Sequence, residues 1–317
     1  MLVSWQEFLP GKKKRKDVAK FSVNFMDNIL SLHQDLVDRN YRHGGYQAFK
    51  INDPKPRDIH KASVRDRLVH HAIYRILYPY FDRKFIFYSC SCRIGKGTHR
   101  AMNNFRNFFR RVSLNNTRTV WVLKCDIRKF FANINHDILM AILSKYIGDK
   151  NTLWLLGQIV ESFHTANKIG VGLPLGNLTS QLLINIYMNE FDQYVKRELK
   201  VKFYIRYADD FVMLSEDKSY LENLLPKISK FLDEELRLTL HPDKVFIKAV
   251  ASGIDFLGWV HFPDHRVLRK STKRRMHRRM IGYPINEAYQ SYLGLLEYGN
   301  AWKIEQILER LYNRITP

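Results

Sequence analysis

Two adjacent carboxylates, Asp209 and Asp210, lie in Phe203-Tyr204-Ile205-Arg206-Tyr207-Ala208-Asp209-Asp210-Phe211-Val212-Met213-Leu214, between two short runs of β-forming residues. Strand side chains alternate between faces, so neighbouring acids share a face only where the backbone turns beside them. A turn at Ala208-Asp209-Asp210 does this. A polar hairpin turn would account for the pair without any chemistry, because Asp is a common turn residue. The weight shifts with a third acid, Asp126, which follows the apolar stretch Val120-Trp121-Val122-Leu123-Lys124-Cys125. A carboxylate that ends an apolar strand is poorly placed for surface duty. Three such groups meeting at strand ends repel one another unless hydrated cations lie between them.

Those acids need a sheet, and the sheet needs helices to cover it. Helical spacing of Phe21, Phe25, Ile29, Leu32 and Leu36 predicts helix within residues 1–46, ended by His43-Gly44-Gly45-Tyr46. The run Lys12-Lys13-Lys14-Arg15-Lys16 inside it reads as a solvated arm able to touch phosphates. Residues 49–59 read as short strands around the turn Asp53-Pro54-Lys55-Pro56, followed by a helix capped by Ser63. Further helices are expected from Asn135-His136-Asp137 onward, from about 151 to 163, from 182 to about 195, and over 220–236. His136 reads as a capping or core histidine. Gly95-Lys96-Gly97-Thr98 lacks the phosphate-loop spacing, since a glycine separates Lys96 from Thr98 and none lies at the required upstream position.

Tyr207-Ala208-Asp209-Asp210 and Asp126-Ile127 followed by Phe130-Phe131 resemble the palm motifs of reverse transcriptases, in the correct order. The resemblance extends over roughly residues 47–300. It implies an α+β right-hand polymerase: fingers in 1–118, a palm of antiparallel sheet backed by helices in 119–262 with a fingers-contributed segment near 165–180, and a small basic helical thumb in 263–317. It implies two Mg²⁺ ions, or Mn²⁺ in their place, at Asp126, Ile127, Asp209 and Asp210, the three aspartates being catalytic. Lys50 and Arg57 would meet the triphosphate of the incoming nucleotide, and a guanidinium suits that because its planar fork grips phosphate oxygens in pairs. Phe131 would lie beneath the sugar and exclude a 2′-hydroxyl, Leu175, Gly176 and Gln181 would contact the nucleotide, and Lys244 would attend the leaving pyrophosphate. Tyr207, Ala208, Leu257, Gly258 and Trp259 would touch the primer, with Arg274, Arg275 and Arg278 on the template and product duplex. The segment around Arg93, Gly95, Gly97, Thr98 and His99 would follow the template strand.

The segment Leu175-Gly176-Asn177-Leu178-Thr179-Ser180-Gln181 discriminates within the superfamily. Most reverse transcriptases resembling group II intron, retron or retroviral enzymes carry Gln-Gly-x-x-x-Ser-Pro here. The leucine and the final Gln are similar to reverse transcriptases of diversity-generating retroelements, which implies cDNA synthesis from a template-repeat RNA, errors at template adenines and mutagenic retrohoming. A leucine cannot hydrogen-bond, and discrimination built on a buried polar contact exceeds that of an apolar one by orders of magnitude. The implied partners are a template-repeat RNA with flanking structured RNA, the RNA/cDNA duplex, dNTPs, and a small basic oligomeric accessory variability protein. The competing readings are a retron or group II intron-like enzyme of ordinary fidelity and a non-catalytic RNA-binding relic. Intact carboxylates argue against the relic.

Composition agrees with this. The net charge of +21 (52 Lys and Arg against 31 Asp and Glu) asks for a polyanionic partner. A 317-residue chain with 45% hydrophobic residues can bury the core of one multi-lobed unit. No run approaches the roughly 18 to 20 apolar residues of a membrane span, and the three cysteines suit a reducing compartment, so the expectation is a cytoplasmic protein without endonuclease, maturase or RNase H regions.

Overall fold

The structure, a computed structural model, describes residues 1–52, 56–282 and 286–313. The chain opens with α1 (Leu2–Phe8), α2 (Lys16–Val23) and α3 (Phe25–Val37). The single amphipathic pattern is thus broken twice, by a turn before α2 and at Asn24, whose backbone leaves the helical region (φ −111°, ψ 46°). Ile29 and Leu32 are buried, while Phe21, Phe25 and Leu36 pack against them. The lysine run begins in that turn and is not wholly a free arm: Lys12 Nζ donates to the Phe8 carbonyl at 2.7 Å and lies over the Phe8 ring.

Next, β1 (Tyr46–Ile51) and β2 (Arg57–Ala62) pair antiparallel from Tyr46↔Ala62 to Ile51↔Arg57. The turn expected at 53–55 lies outside the described residues. α4 (Val64–Asp82) starts at Ser63, whose hydroxyl accepts from the Asp66 N–H and donates to the Asp66 carboxylate. Asp66 is buried and also accepts from the Tyr41 hydroxyl and the Gly44 N–H. One carboxylate therefore braces the Ser63 cap of α4 and ties it to the segment leaving α3.

α5 (Thr98–Val112), β3 (Trp121–Asp126), α6 (His136–Tyr146), α7 (Lys150–Val160), α8 (Leu178–Gln193), β4 (Tyr204–Tyr207), β5 (Asp210–Ser215), α9 (Lys218–Leu236) and β6 (Phe246–Ala249) build the centre. The sheet has the order β4-β5-β3-β6, antiparallel throughout. On one face Val122, Ile205, Val212 and Leu214 pack with Phe105, Phe108 and Phe109 of α5; on the other, Leu123, Tyr204, Phe211 and Met213 pack with Tyr187 and Phe191 of α8 and with Leu221 and Ile228 of α9. Both faces are covered, which is why these strands read as nearly unbroken apolar runs; each such burial is worth roughly 1.5–3 kcal/mol. α8 starts at Leu178, earlier than the spacing suggests, because Asn177 already has extended N-cap backbone (φ −107°, ψ 145°).

The chain ends in β7 (Ile254–Phe256), β8 (Trp259–His261) and β9 (Arg266–Leu268), a second antiparallel sheet, and the helices α10 (Lys270–Gly282), α11 (Asn286–Leu296) and α12 (Trp302–Asn313). Trp259, Leu268, Met276, Met280, Tyr292, Leu296 and Leu308 form a separate core here. The small sheet straddles residues 262/263. Among the described residues no helix is long and apolar enough to cross a membrane.

Candidate active site

The register of β3 against β5 pairs Asp126 with Asp210, and directly paired residues present their side chains on one face. Between β4 and β5 the chain reverses in two residues, Ala208 and Asp209, since Tyr207 pairs with Asp210. Ala208 takes the left-handed conformation at φ 56°. The turn is thus tighter than the sequence suggests, Asp210 being already a strand residue. The Ile127 N–H donates to the Asp209 carbonyl at 3.1 Å, which fastens the hairpin tip to the residue after Asp126. The Ile127 side chain is buried in the core, so only its backbone faces the acids.

Charge at this corner is unbalanced. Lys244 Nζ donates to Asp126 Oδ1 at 2.7 Å. Lys124, itself buried, stands 3.2 Å from Asp210 Oδ2 and donates to the Asp255 carbonyl at 2.8 Å. Burial pushes the Asp209 carboxyl above its ordinary value and Asp126 adds to this, while Lys244 and Arg57 pull it back. Burial pushes Asp210 up to about 7 against the pull of Lys124, with Asp126 and Asp209 adding repulsion. At both carboxylates burial outweighs the pull of the nearby cations. Asp210 Oδ1 is moreover buried without a hydrogen-bond partner. Hard divalent cations take oxygen ligands of this kind, so the donor set fits magnesium. Among the described residues no three His, Cys, Asp or Glu groups already stand at ligand spacing; Lys244 and Lys124 hold Asp126 and Asp210 instead.

Beneath the hairpin lies a buried network that the sequence reading passed over. Arg206 and Asp192 form an ion pair with both side chains 0% exposed. Arg206 donates to Asp192 at 2.8 and 2.6 Å, to Ser89 Oγ at 3.0 Å and to the Ala208 carbonyl at 3.1 Å, and the Tyr204 hydroxyl donates to Asp192 at 2.7 Å. The turn before Asp209 is therefore held from below by a guanidinium that is itself fully coordinated. The signal was a charged residue inside each apolar strand, Arg206 in one and Lys124 in the other.

The remaining expected residues fall in several places. Arg57 begins β2, exposed, and is close enough to act on Asp209; Lys50 is exposed on β1 opposite Asp58. Phe131 is half-buried in a 3₁₀ turn, Phe130–Asn133, and its carbonyl accepts from Leu173 N–H at 2.8 Å. The Leu175 carbonyl accepts from His60 N–H at 2.9 Å and Asn177 Nδ2 donates to the His60 carbonyl at 2.8 Å. This stitches the loop to the β1–β2 hairpin. Gly176 has φ 101°, and a Cβ there would come within 2.7 Å of Ile59, so only glycine fits. Gln181 is half-buried in the first turn of α8, and Tyr207 accepts from the Thr98 hydroxyl at 3.2 Å. Leu257 (φ 53°) and Gly258 (φ 87°) form a two-residue turn between β7 and β8, both left-handed as a type I′ hairpin requires. Trp259 does not fit a primer contact. It is fully buried, and a Cβ on Gly299 would come within 2.0 Å of its ring, so it joins the small sheet to the terminal helices. On α10, Arg274 and Arg278 are exposed and Arg275 half-buried. Arg93 does not follow a template: it binds Asp82 and the Ile86 and Ser89 carbonyls. His136 is a core histidine on the Gly172 carbonyl at 2.7 Å.

A helix-backed antiparallel sheet with three acids at one end, a hairpin linked to it at one side and a helical bundle at the other, is the architecture of a right-hand polymerase. The pattern of the family described as "Reverse transcriptase (RNA-dependent DNA polymerase)" matches residues 50–261, and the chain belongs to this family. It is thereby an RNA-directed DNA polymerase, a nucleotidyltransferase. It is 28% identical to "Protein YkfC" of Escherichia coli strain K12 over 289 residues, covering 77% of this chain and 73% of the relative. It is 22% identical to "Group II intron-encoded protein LtrA" of Lactococcus lactis over 319 residues, where it spans 78% of itself and 51% of the relative. It spans 30% of the length of the "Putative COX1/OXI3 intron 2 protein" of Saccharomyces cerevisiae, at 21% identity over 68% of this chain. Among solved structures, the fold is similar to Candida albicans telomerase in complex with a TWJ fragment of telomeric RNA, with a TM-score of 0.55, 12% identity, and coverage of 81% of this chain and 53% of that one.

Proposed function

We propose that this polymerase makes cDNA from the template-repeat RNA of a diversity-generating retroelement, with errors at template adenines. The observation that carries this is Leu175, a half-buried aliphatic side chain in the loop tied to the β1–β2 hairpin, where most enzymes resembling those of group II introns and retrons carry a glutamine able to hydrogen-bond. In this reading residues 1–118 are fingers, 119–262 palm and 263–317 thumb. Asp126 and Asp209, with Asp210 and the Ile127 backbone, would hold two Mg²⁺ ions, which would offset the repulsion among the three carboxylates. Arg57 grips the triphosphate. Phe131 closes the space under the sugar to a 2′-hydroxyl. Lys244, released from Asp126, gives a proton or charge to the departing pyrophosphate. The partners are the structured template RNA and a small basic accessory protein, in a bacterial, phage or archaeal cytoplasm.

Sequencing cDNA made from a defined RNA, with and without the accessory protein, tests the reading. Misincorporation should concentrate at adenines, and Leu175→Gln should reduce it. Uniform low error would favour the second reading, an ordinary-fidelity intron-type enzyme, which the likeness to LtrA supports. Asp209→Asn should lower primer extension by about a hundred- to thousandfold, the scale on which one electrostatic stabiliser is lost, while RNA binding persists. Full extension by that variant would end the assignment of the acids.

A further inference from the structure

On the palm surface just past Asp126, three segments converge on a concavity of about 400 Å³ lined by Arg128, Lys129, Asn133, Lys168, Arg237 and Thr239. Four of these six residues are cationic and none is acidic. It is assembled from three separate segments of the chain.

Two of its cations sit where backbone conformation argues against them. Lys129 has φ 45° and ψ 47°, and Arg237, which caps α9, has φ 49° and ψ 37°. The left-handed region is disfavoured for a residue with a Cβ, and glycine is the usual occupant of a helix C-terminus of this shape. Both points thus carry a long basic side chain where glycine would be the easier occupant.

The concavity is built onto the catalytic corner. The Arg128 N–H donates to the Thr239 carbonyl at 2.9 Å, and the His241 N–H to the Asp126 carbonyl at 2.7 Å. Residues 239–244 thus run beside 126–128, with Lys244 on the Asp126 carboxylate at one end and the four cations at the other. Asn133 Nδ2 donates to the Arg128 carbonyl at 3.0 Å and Asn133 Oδ1 lies 3.4 Å from Lys168 Nζ, which closes the rim.

We propose that this concavity is a polyphosphate site outside the catalytic acids, taking the triphosphate of a nucleotide on its way in or the pyrophosphate on its way out. The inference rests on the polymerase reading, because each nucleotidyl transfer must admit one such group and release another. Its size and its origin in three segments favour a compact polyanion over a nucleic-acid backbone, which would be followed along a groove.

The test uses the full chain and the double variant Lys168→Ala, Arg237→Gly, the glycine suiting its φ. Inorganic tripolyphosphate and pyrophosphate are titrated without divalent metal and followed by ³¹P NMR. Loss of two partly solvated charges should weaken tripolyphosphate binding about three- to tenfold at low salt, with the difference fading at high salt. In primer extension, a raised KM for dNTP assigns the incoming group, and weaker inhibition by pyrophosphate assigns the departing one. An unchanged tripolyphosphate constant overturns the proposal. So does an equal loss of affinity for an RNA–DNA duplex, which would make this a nucleic-acid surface. Because the titration needs no turnover, a wild-type chain that failed to extend a primer would count against the polymerase reading and leave the site standing.

Discussion

At the scale of single residues, Asp210 shows what the site does to the fold that carries it. Its carboxyl is raised from 3.8 to about 7, chiefly by burial. A group whose folded-state pKa lies above its unfolded value stabilises the protein below the unfolded pKa, and that stability is lost as pH rises through the folded value. Asp210 therefore weakens the metal-free protein between pH 4 and 7 and leaves it weakened above that. The full shift corresponds to about 4 kcal/mol, and about half of it is expected for a side chain that water still reaches. Asp210→Asn should accordingly unfold later than wild type in chelator at pH 8, by about 2 kcal/mol, with the gap closing toward pH 4 or on adding Mg²⁺. Urea melts at both pH values check this; a variant less stable than wild type at pH 8 would mean that Lys124 needs the carboxylate more than the carboxylate suffers from burial. These acids were legible in the sequence because charge at the end of an apolar strand is conspicuous. Lys124 and Arg206 gave the same signal and were missed because a basic residue in a chain of +21 draws no notice.

At the scale of elements, the hairpin depends on a pairing that no local pattern announces. Asp192 lies in α8 and Arg206 in β4, and only the packing of α8 under the sheet brings them together with Ser89 and Tyr204. The hairpin carrying the paired acids and most helices followed from periodicity and turn residues; the pairing of Asp126 with Asp210 did not, and neither did the breaks at Asn24 and Asn177, because asparagine serves loops and helix starts alike. Trp259 misled for a related reason. Its place after a glycine turn suggested a ligand surface, while its burial depends on Gly299, forty residues later. Arg206→Met leaves Asp192 buried without its partner and should cost about 3–5 kcal/mol. Arg206→Lys keeps the charge but cannot reach Asp192, Ser89 and the Ala208 carbonyl together. It should fold, and lower kcat with little change in KM for dNTP, since the turn carrying Asp209 loses its support. The double variant Arg206→Met, Asp192→Leu should regain stability without regaining kcat. If it regained both, the network would serve the fold alone.

At the scale of the whole molecule, the excess charge needs an address. Thr272, Met276 and Met280 turn inward on α10, which leaves Lys273, Arg274, His277 and Arg278 exposed on one side. That spacing supports the proposal that α10 is a surface for phosphates, since contacts from flexible basic side chains position a duplex without reading its sequence. Each phosphate neutralised releases counterions, so the slope of log K against log salt counts the contacts at roughly 0.7 to 0.9 per charge. Arg274→Ala combined with Arg278→Ala should therefore flatten that slope by about 1.5 for an RNA–DNA duplex, measured by fluorescence anisotropy across a salt series. Affinity should fall most at low salt and converge with wild type at high salt. A slope that stays as steep as wild type would turn α10 away from the duplex and leave the exposed cations elsewhere on the palm to carry the binding.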